Sequence, residues 1–305
     1  MLTIFSPSAK LPGITAAIGF FDGVHLGHRA LISAVISEAK RVGNASAIVT
    51  FRSHPRVVLH SDYRPQFINS FDEKIALLQE TGLDYAIVLD FDERMSLMTG
   101  GEFIAFLKDG YNLKGLYIGY DHRFGHRRSE CFEDYVVYGR NLGVAVYRAD
   151  AVLIGSVPIS SSAIRRFLLD GDLLHAELML SYRYFLSGRV VTGYGVGRKI
   201  GFRTANIEVE DMDKLIPCNG VYAVCVTTVD GVGHKGMLNI GNRPTVHNSD
   251  ERIIETHIFD FDADIYDTVI RVVFVAYLRE ERKMGSLKAL QHQLALDRLA
   301  AMAVL

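Results

Sequence analysis

Apolar residues in the first half of the chain alternate between short unbroken runs and runs at helical spacing. Thr15-Ala16-Ala17-Ile18 is an unbroken run that stops at Gly19. Leu31, Ile32, Val35, Ile36, Ala39 and Val42 then recur at the three-and-four interval of one helix face. Ala47 to Phe51 reads as a buried strand. Asp72 is placed to cap a helix carrying Ile75, Leu77 and Leu78. Tyr85 to Leu89 predicts another strand, Glu102 to Leu107 a helix, and Leu116 to Ile118 and Val144 to Val146 two further strands. Strands separated by helices imply an α/β domain with a doubly wound parallel sheet. Ligands of such sheets sit beyond the carboxyl ends of the strands. The segment after Ile18 falls at that edge.

The pattern changes near Ser181 to Ser187. Strand candidates then follow with few helices between them: Tyr184 to Leu186, Val190-Val191, Val221 to Thr227, Lys235 to Ile240, Ile253 to Ile258 and Val269 to Tyr277. Asn219-Gly220 and Asp230-Gly231 are turn signals. This part predicts a compact antiparallel β-barrel. A terminal helix follows, with Leu287, Leu290 and Leu294 as a core stripe. The expected division is 1–181 and 182–305.

Composition narrows the class. A chain of 305 residues suits two domains, and 49% apolar residues let each half bury its own core. A net charge of -2 offers no basis for nucleic-acid or membrane-surface binding. Cys131, Cys218 and Cys225 are scattered and odd in number, as reduced thiols are. The N-terminus does not read as a signal peptide, and no apolar run nears the roughly 20 residues that span a bilayer. A cytoplasmic protein with small-molecule substrates is expected. The pattern leaves the number of subunits open.

Against that background, Gly19-Phe20-Phe21-Asp22-Gly23-Val24-His25-Leu26-Gly27-His28 carries the first chemistry. Gly19 and Gly23 permit a tight turn and close backbone approach to a ligand. His25 and His28 fall at a helix start, where free amides and the dipole favour an anion. The residues alone leave three readings: a phosphate site, a loop with incidental histidines, or part of a zinc site.

The ten-residue string resembles the Gly-x-Phe-Asp-Gly-x-His-x-Gly-His signature of bacterial bifunctional riboflavin kinase/FAD synthetases. Ser160-Ser161-Ser162-Ala163-Ile164-Arg165 is similar to that family's Ser-Ser-Thr-x-Ile-Arg segment. The resemblance implies an FMN adenylyltransferase (nucleotidyltransferase) domain. His25 and His28 are then catalytic. Gly19, Phe20, Asp22, Gly23, Ser161, Ser162 and Arg165 bind ATP. Thr50 to Pro55 and Gly119 to Gly125 resemble two further family segments, with Arg52, Ser53 and His122 as replacements. From the second of these, Asp121 and Phe124 are implied flavin contacts.

Gly195-Val196-Gly197-Arg198-Lys199-Ile200-Gly201 interleaves glycines with cations, as a phosphate cradle does. A glycine-rich hairpin is the plainer reading of the same residues. Thr204 and Asn206 are hard oxygen donors two apart, suited to one magnesium ion. Gly201 to Asn206 resembles the riboflavin kinase string Gly-Phe-Pro-Thr-Ala-Asn, with Arg203 for proline. Asn239 to Thr245 and Glu255 to Phe261 resemble two further kinase motifs. The resemblance implies a riboflavin kinase domain in which Glu255 is the catalytic base and Gly195, Gly197, Arg198, Lys199 and Gly201 bind ATP. It further implies Thr204 and Asn206 as Mg2+ ligands, Arg279 as a flavin contact, and the terminal helix beside the isoalloxazine ring. His257, on the strand face of Glu255, is expected to be structural.

Together the two halves imply phosphorylation of riboflavin to FMN and adenylylation of FMN to FAD, with ATP as co-substrate of both. The altered positions keep open a kinase with weak or lost adenylyl transfer. A non-catalytic flavin sensor is a second alternative, and another small-molecule cytidylyl- or adenylyltransferase a third, which explains the first half only.

Overall fold

The computed structural model describes residues 1–7, 11–54, 66–120, 124–126, 130–193, 201–242 and 252–305. By its contacts the chain divides into two units, Met1–Ser161 and Ser162–Leu305. The strands of the first are β1 (Leu2–Ile4), β2 (Ile14–Ile18), β3 (Ala45–Phe51), β4 (Tyr85–Leu89), β5 (Leu113–Ile118) and β6 (Ala145–Arg148). They pair in the order β1-β4-β3-β2-β5-β6, every pair parallel. Parallel pairing needs crossovers. Beyond β2 they contain α1 (Leu26–Val42), α2 (Phe71–Gln79), α3 (Glu93–Ser96), α4 (Gly100–Tyr111) and α5 (Phe132–Leu142). All five residues of β2 are buried, as a strand covered on both faces requires. Its neighbours are β3 on one side and β5 on the other. The strand order reverses there, which opens a crevice at the carboxyl end of β2.

Local chemistry sets the helix starts. Ser70, not Asp72, caps α2: its Oγ accepts from Glu73 N at 3.2 Å, and the Glu73 carboxylate accepts from Ser70 N at 3.0 Å. Asp72 sits in the first turn, where the helix dipole favours an anion. Thr99 and Glu102 form the same capping box on α4. β1 and a hairpin of β7 (Leu153–Ile154) and β8 (Val157–Pro158) lie outside the sequence expectation. Two or three residues are too few for a period to register.

The second unit holds α6 (Ser161–Leu169, its first residue in the first unit), α7 (Leu173–Leu180) and six strands. These are β9 (Phe185–Val191), β10 (Ala205–Glu208), β11 (Gly220–Thr227), β12 (Gly233–Asn242), β13 (Arg252–Ile258) and β14 (Val269–Arg279). They close a barrel in the order β10-β13-β12-β11-β14-β9, every pair antiparallel. α7 packs on β14, and Leu168 O accepts from Cys218 N at 3.3 Å. Those contacts draw the division by packing ahead of Tyr182. The last helix, α8 (Leu287–Val304), lies against β11, β12 and β14.

Two expectations for this unit are corrected. Tyr184 to Leu186 and Val190-Val191 are not separate strands; β9 runs unbroken from Phe185 to Val191. Gly188 sits within it because a Cβ there would lie 2.5 Å from Ile207 Cγ2 and 2.7 Å from Glu208 O. The leucines of α8 form a core stripe only in part: Leu294 packs on the cluster of Ala223, Met237, Phe259 and Ala301. Leu287 is 59% exposed, Leu290 and Leu294 are half-buried, and the buried positions of the helix are Asp297 and Ala301.

Candidate active sites

In the first unit, Gly19 to His28 forms the turn between β2 and α1. Phe21, Gly23 and Val24 have φ of 58°, 83° and 37°, a region that side chains other than glycine seldom adopt. Phe21 and Val24 are nonetheless buried. His25 is the N-cap of α1, its Nδ1 accepting from His28 N at 3.2 Å. The proton of the neutral ring therefore sits on Nε2. The rings of His25 and His28 stack with centroids 3.6 Å apart, and Phe21 meets His28 edge-on at 5.2 Å. Burial lowers the His25 pKa to about 4. Two imidazoles are thus brought together at the open end of β2, at a helix N-terminus.

Asp22 is buried, and its Oδ1 accepts from Ile68 N at 2.8 Å and Asn69 N at 3.4 Å. Its carboxylate anchors the backbone ahead of α2. Ser161, the first residue of α6, donates from Oγ to Asp22 O at 2.9 Å, so its hydroxyl proton is used on the turn. Ser162 and Arg165 follow on α6, within the second unit; Ser162 is exposed and Arg165 half-buried. Phe20 meets His54 and Phe67 at ring distances of 4.8 and 4.9 Å. Arg52 pairs with Asp90 at 3.2 Å. Phe124 stacks on Tyr135 at 4.3 Å, and its N and O both bond the Tyr135 hydroxyl, at 3.2 and 2.8 Å. Asp121, Gly195, Gly197, Arg198 and Lys199 lie outside the described residues, as do His122 and Arg243 to Thr245. Among the described residues, no three His, Cys, Asp or Glu side chains form a metal-binding group.

Sequence reasoning passed over Lys74. It is 3% exposed, and its Nζ lies 3.2 Å from Phe20 O and 3.1 Å from Phe51 O. One signal was available: positions 74, 77 and 78 share a helix face, and Leu77 and Leu78 are buried.

In the second unit Glu255 occupies the middle of β13, facing Asn206 of β10 on one side and Asn239 of β12 on the other. Glu255 is half-buried, and burial raises its pKa above the ordinary carboxylate range. It borders a cavity of about 230 Å³ whose wall includes Thr204, Asn239, His257, Arg279 and Leu294. It also borders a second cavity of about 600 Å³, with Asn206, Lys214 and Arg252. The Asn206 amide occupies the space over Gly193, where a Cβ would lie 1.9 Å from Nδ2. Gly201, at φ 82°, precedes the segment carrying Thr204.

His257 Nδ1 lies 2.7 Å from Arg203 O, tying that segment to β13. Arg279 reaches the smaller cavity with its guanidinium engaged: Nε and Nη2 bond Asp297 at 2.8 and 2.7 Å, and Nη1 bonds Glu280 O at 2.9 Å. Asp297, the partner that holds Arg279, gave no signal in the sequence.

Comparison with known proteins gives two family matches: FAD synthetase over residues 8–163 and riboflavin kinase over residues 180–305. Bifunctional riboflavin kinase/FMN adenylyltransferase of Escherichia coli K12 is 36% identical, with 96% of this chain and 93% of that protein covered. Proteins of the same description from Pseudomonas fluorescens and Bacillus subtilis are 34% and 31% identical, covering 96% and 93% of this chain and 93% and 90% of their own. A crystal structure described as a macrolide-efflux protein from Streptococcus pneumoniae superposes with a TM-score of 0.88 at 28% identity, covering 99% of this chain and 98% of that one. Among the described residues, no helix is long and apolar enough to cross a membrane.

Proposed function

The chain belongs to the bifunctional riboflavin kinase/FMN adenylyltransferases, and we propose that its two reactions run at two sites, one within residues 1–181 and one within residues 182–305. Riboflavin and ATP give FMN and ADP; FMN and a second ATP give FAD and pyrophosphate. The observation that carries the division is the position of the stacked His25–His28 pair in one packing unit and Glu255 in the other. One reaction attacks the outermost phosphate of ATP and the other the innermost, so the two in-line geometries call for different rigid settings.

In the kinase, Glu255 accepts the proton of the ribityl hydroxyl as that oxygen attacks the terminal phosphate. A carboxylate made more basic by burial suits that task. The flavin ring occupies the cavity of about 230 Å³ beside α8. Thr204 and Asn206 offer a hydroxyl and an amide oxygen on the cavities that Glu255 shares. These neutral, hard donors fit magnesium. Thr204 and Asn206 would hold the ion, which would supply positive charge to offset that of the ATP phosphates. Gly195, Gly197, Arg198, Lys199 and Gly201 are the residues proposed to bind ATP in this reaction.

In the adenylyltransferase the nucleophile is the FMN phosphate, already ionised, so no base is required. The His25 Nε2–H, His28 and the free amides of α1 stabilise charge that builds on the attacked phosphate. Ser162 and Arg165 clamp the departing pyrophosphate. Asp121 and Phe124 approach the flavin. The functional domains are 1–181 and 182–305, and a cytoplasmic location agrees with three free thiols.

The test is direct. Purified protein receives riboflavin, ATP and magnesium, and the products are separated by chromatography. FAD supports both sites, FMN alone leaves a kinase, and neither product sinks the reading.

A further inference from the structure

The Gly19 to His28 turn needs something to hold it. Three of its residues sit at positive φ, and Val24, a β-branched residue, is one of them. Such conformations persist only where the surroundings over-determine them. Asp22 Oδ1 holds Ile68 N, Ser161 Oγ holds Asp22 O, and Thr50 Oγ1 donates to Phe20 O at 3.1 Å. Lys74 adds the fourth hold. Its Nζ lies 3.2 Å from Phe20 O, 3.1 Å from Phe51 O and 3.4 Å from Thr50 Oγ1, and 4.2 Å from the centroid of the Phe20 ring.

Those three acceptors match the three N–H bonds of an ammonium. Among the described residues no carboxylate forms an ion pair with it. An ammonium buried without an ion pair is costly, yet this chain keeps one at the carboxyl edge of its sheet. We propose that Lys74 is a positioning residue for adenylyl transfer. By tying the Phe20 carbonyl to the end of β3, it fixes the strained Phe21–Val24 turn and, through it, the His25–His28 pair. With its N–H bonds engaged, Lys74 acts on the turn and not on substrate. The inference rests on the reading of this turn as the adenylylation site.

Burial lowers the Lys74 pKa to about 8, against the pull of the Asp22 charge. The charged and titratable groups on the elements around it are Asp22, His25 and His28 on the turn, Arg52 and His54 after β3, and Asp72 and Glu73 on α2. A neutral Lys74 has two N–H bonds for three acceptors and turns a lone pair towards one of them.

The experiment compares full-length wild type with Lys74→Met. FMN-to-FAD conversion and riboflavin phosphorylation are measured side by side, and circular dichroism reports folding. Expected are a fall of about a hundredfold in kcat for FAD formation, a KM for ATP within about threefold, and unchanged phosphorylation. A variant that keeps its adenylylation kcat overturns the proposal, as does a rise in KM alone. If the variant unfolds the first unit, the wild-type pH profile decides. A decline in adenylylation kcat between pH 8 and 10 with constant circular dichroism supports the proposal, and a flat profile overturns it. A wild type that makes no FAD from FMN at any pH overturns the underlying site reading, and this inference with it.

Discussion

Glu255 and Asn206 stand directly opposite each other in the antiparallel ladder of β13 and β10. Opposed residues put their side chains on one face, so the proposed base and a proposed magnesium ligand share a surface fixed by backbone pairing. Glu255→Gln keeps the shape and removes the basicity. Riboflavin phosphorylation is expected to fall by about a hundredfold to ten-thousandfold, with FMN-to-FAD conversion unchanged. Chromatography of both half-reactions checks this. Loss of both activities in a folded protein would refute separate sites.

The mirror experiment is His28→Ala. The ring it removes stacks on His25 and meets Phe21 edge-on. FAD formation should drop by about a hundredfold or more if the ring stabilises transition-state charge, while riboflavin phosphorylation continues. Single-turnover assays with FMN separate a loss of chemistry from a loss of ATP binding.

Why some of this was legible in the sequence and some was not has a physical reason. The Gly19 to His28 string stood out because its requirements are local. Positive φ at Gly23 favours glycine, and a helix start favours a side-chain acceptor such as His25. The parallel sheet and the barrel were readable from strand burial and spacing. Asp297 was not, and Lys74 only through the helix face it shares with Leu77 and Leu78, because each is explained by partners distant in sequence. Lys74 meets the end of β3, and Asp297 meets Arg279, 18 residues earlier. Charged residues in a helix usually signal a solvated face, and only the surrounding contacts reverse that reading.

Acid should weaken the first unit through His25. Its folded pKa of about 4 lies below the unfolded value near 6.5. The unfolded chain therefore binds a proton that the folded chain refuses. The contribution is full above pH 6.5 and is lost progressively as pH falls towards 4. Its size is on the order of 3 kcal/mol. His25→Asn keeps a side-chain acceptor at the N-cap and removes the titration. Denaturant titrations from pH 7 to 4 should show a shallower loss of stability in the variant than in wild type.

Magnesium dependence gives another check on the second site. Thr204→Val and Asn206→Ala each remove one of the two proposed oxygen donors. Both should raise the magnesium concentration needed for half-maximal riboflavin phosphorylation by about tenfold or more, on the scale of ligand loss at a metal site. The magnesium dependence of FMN adenylylation should not move. A variant with an unaltered magnesium profile and a reduced kcat would assign that residue to substrate alone.

Asp297 should matter to stability and to flavin binding together. It is 3% exposed, and its carboxylate takes two bonds from Arg279 and one from Gln293 at 2.9 Å. The pairing also raises the Arg279 pKa. This bidentate contact joins α8 to the end of β14, where both line the smaller cavity. Asp297→Ala leaves the guanidinium without its partner. Breaking a largely buried pair from one side costs about 3 kcal/mol, which for a unit of this size lowers Tm by roughly 6–12 °C. As α8 loosens, the KM for riboflavin should rise more than kcat falls, because the helix walls the cavity proposed for the ring and holds no proposed reacting group. Arg279→Lys keeps the charge and gives up the two-pronged geometry. It should show the same KM effect at a smaller cost in Tm. Equal loss in Tm with no change in KM would make the pair a staple of the barrel with no part in flavin recognition.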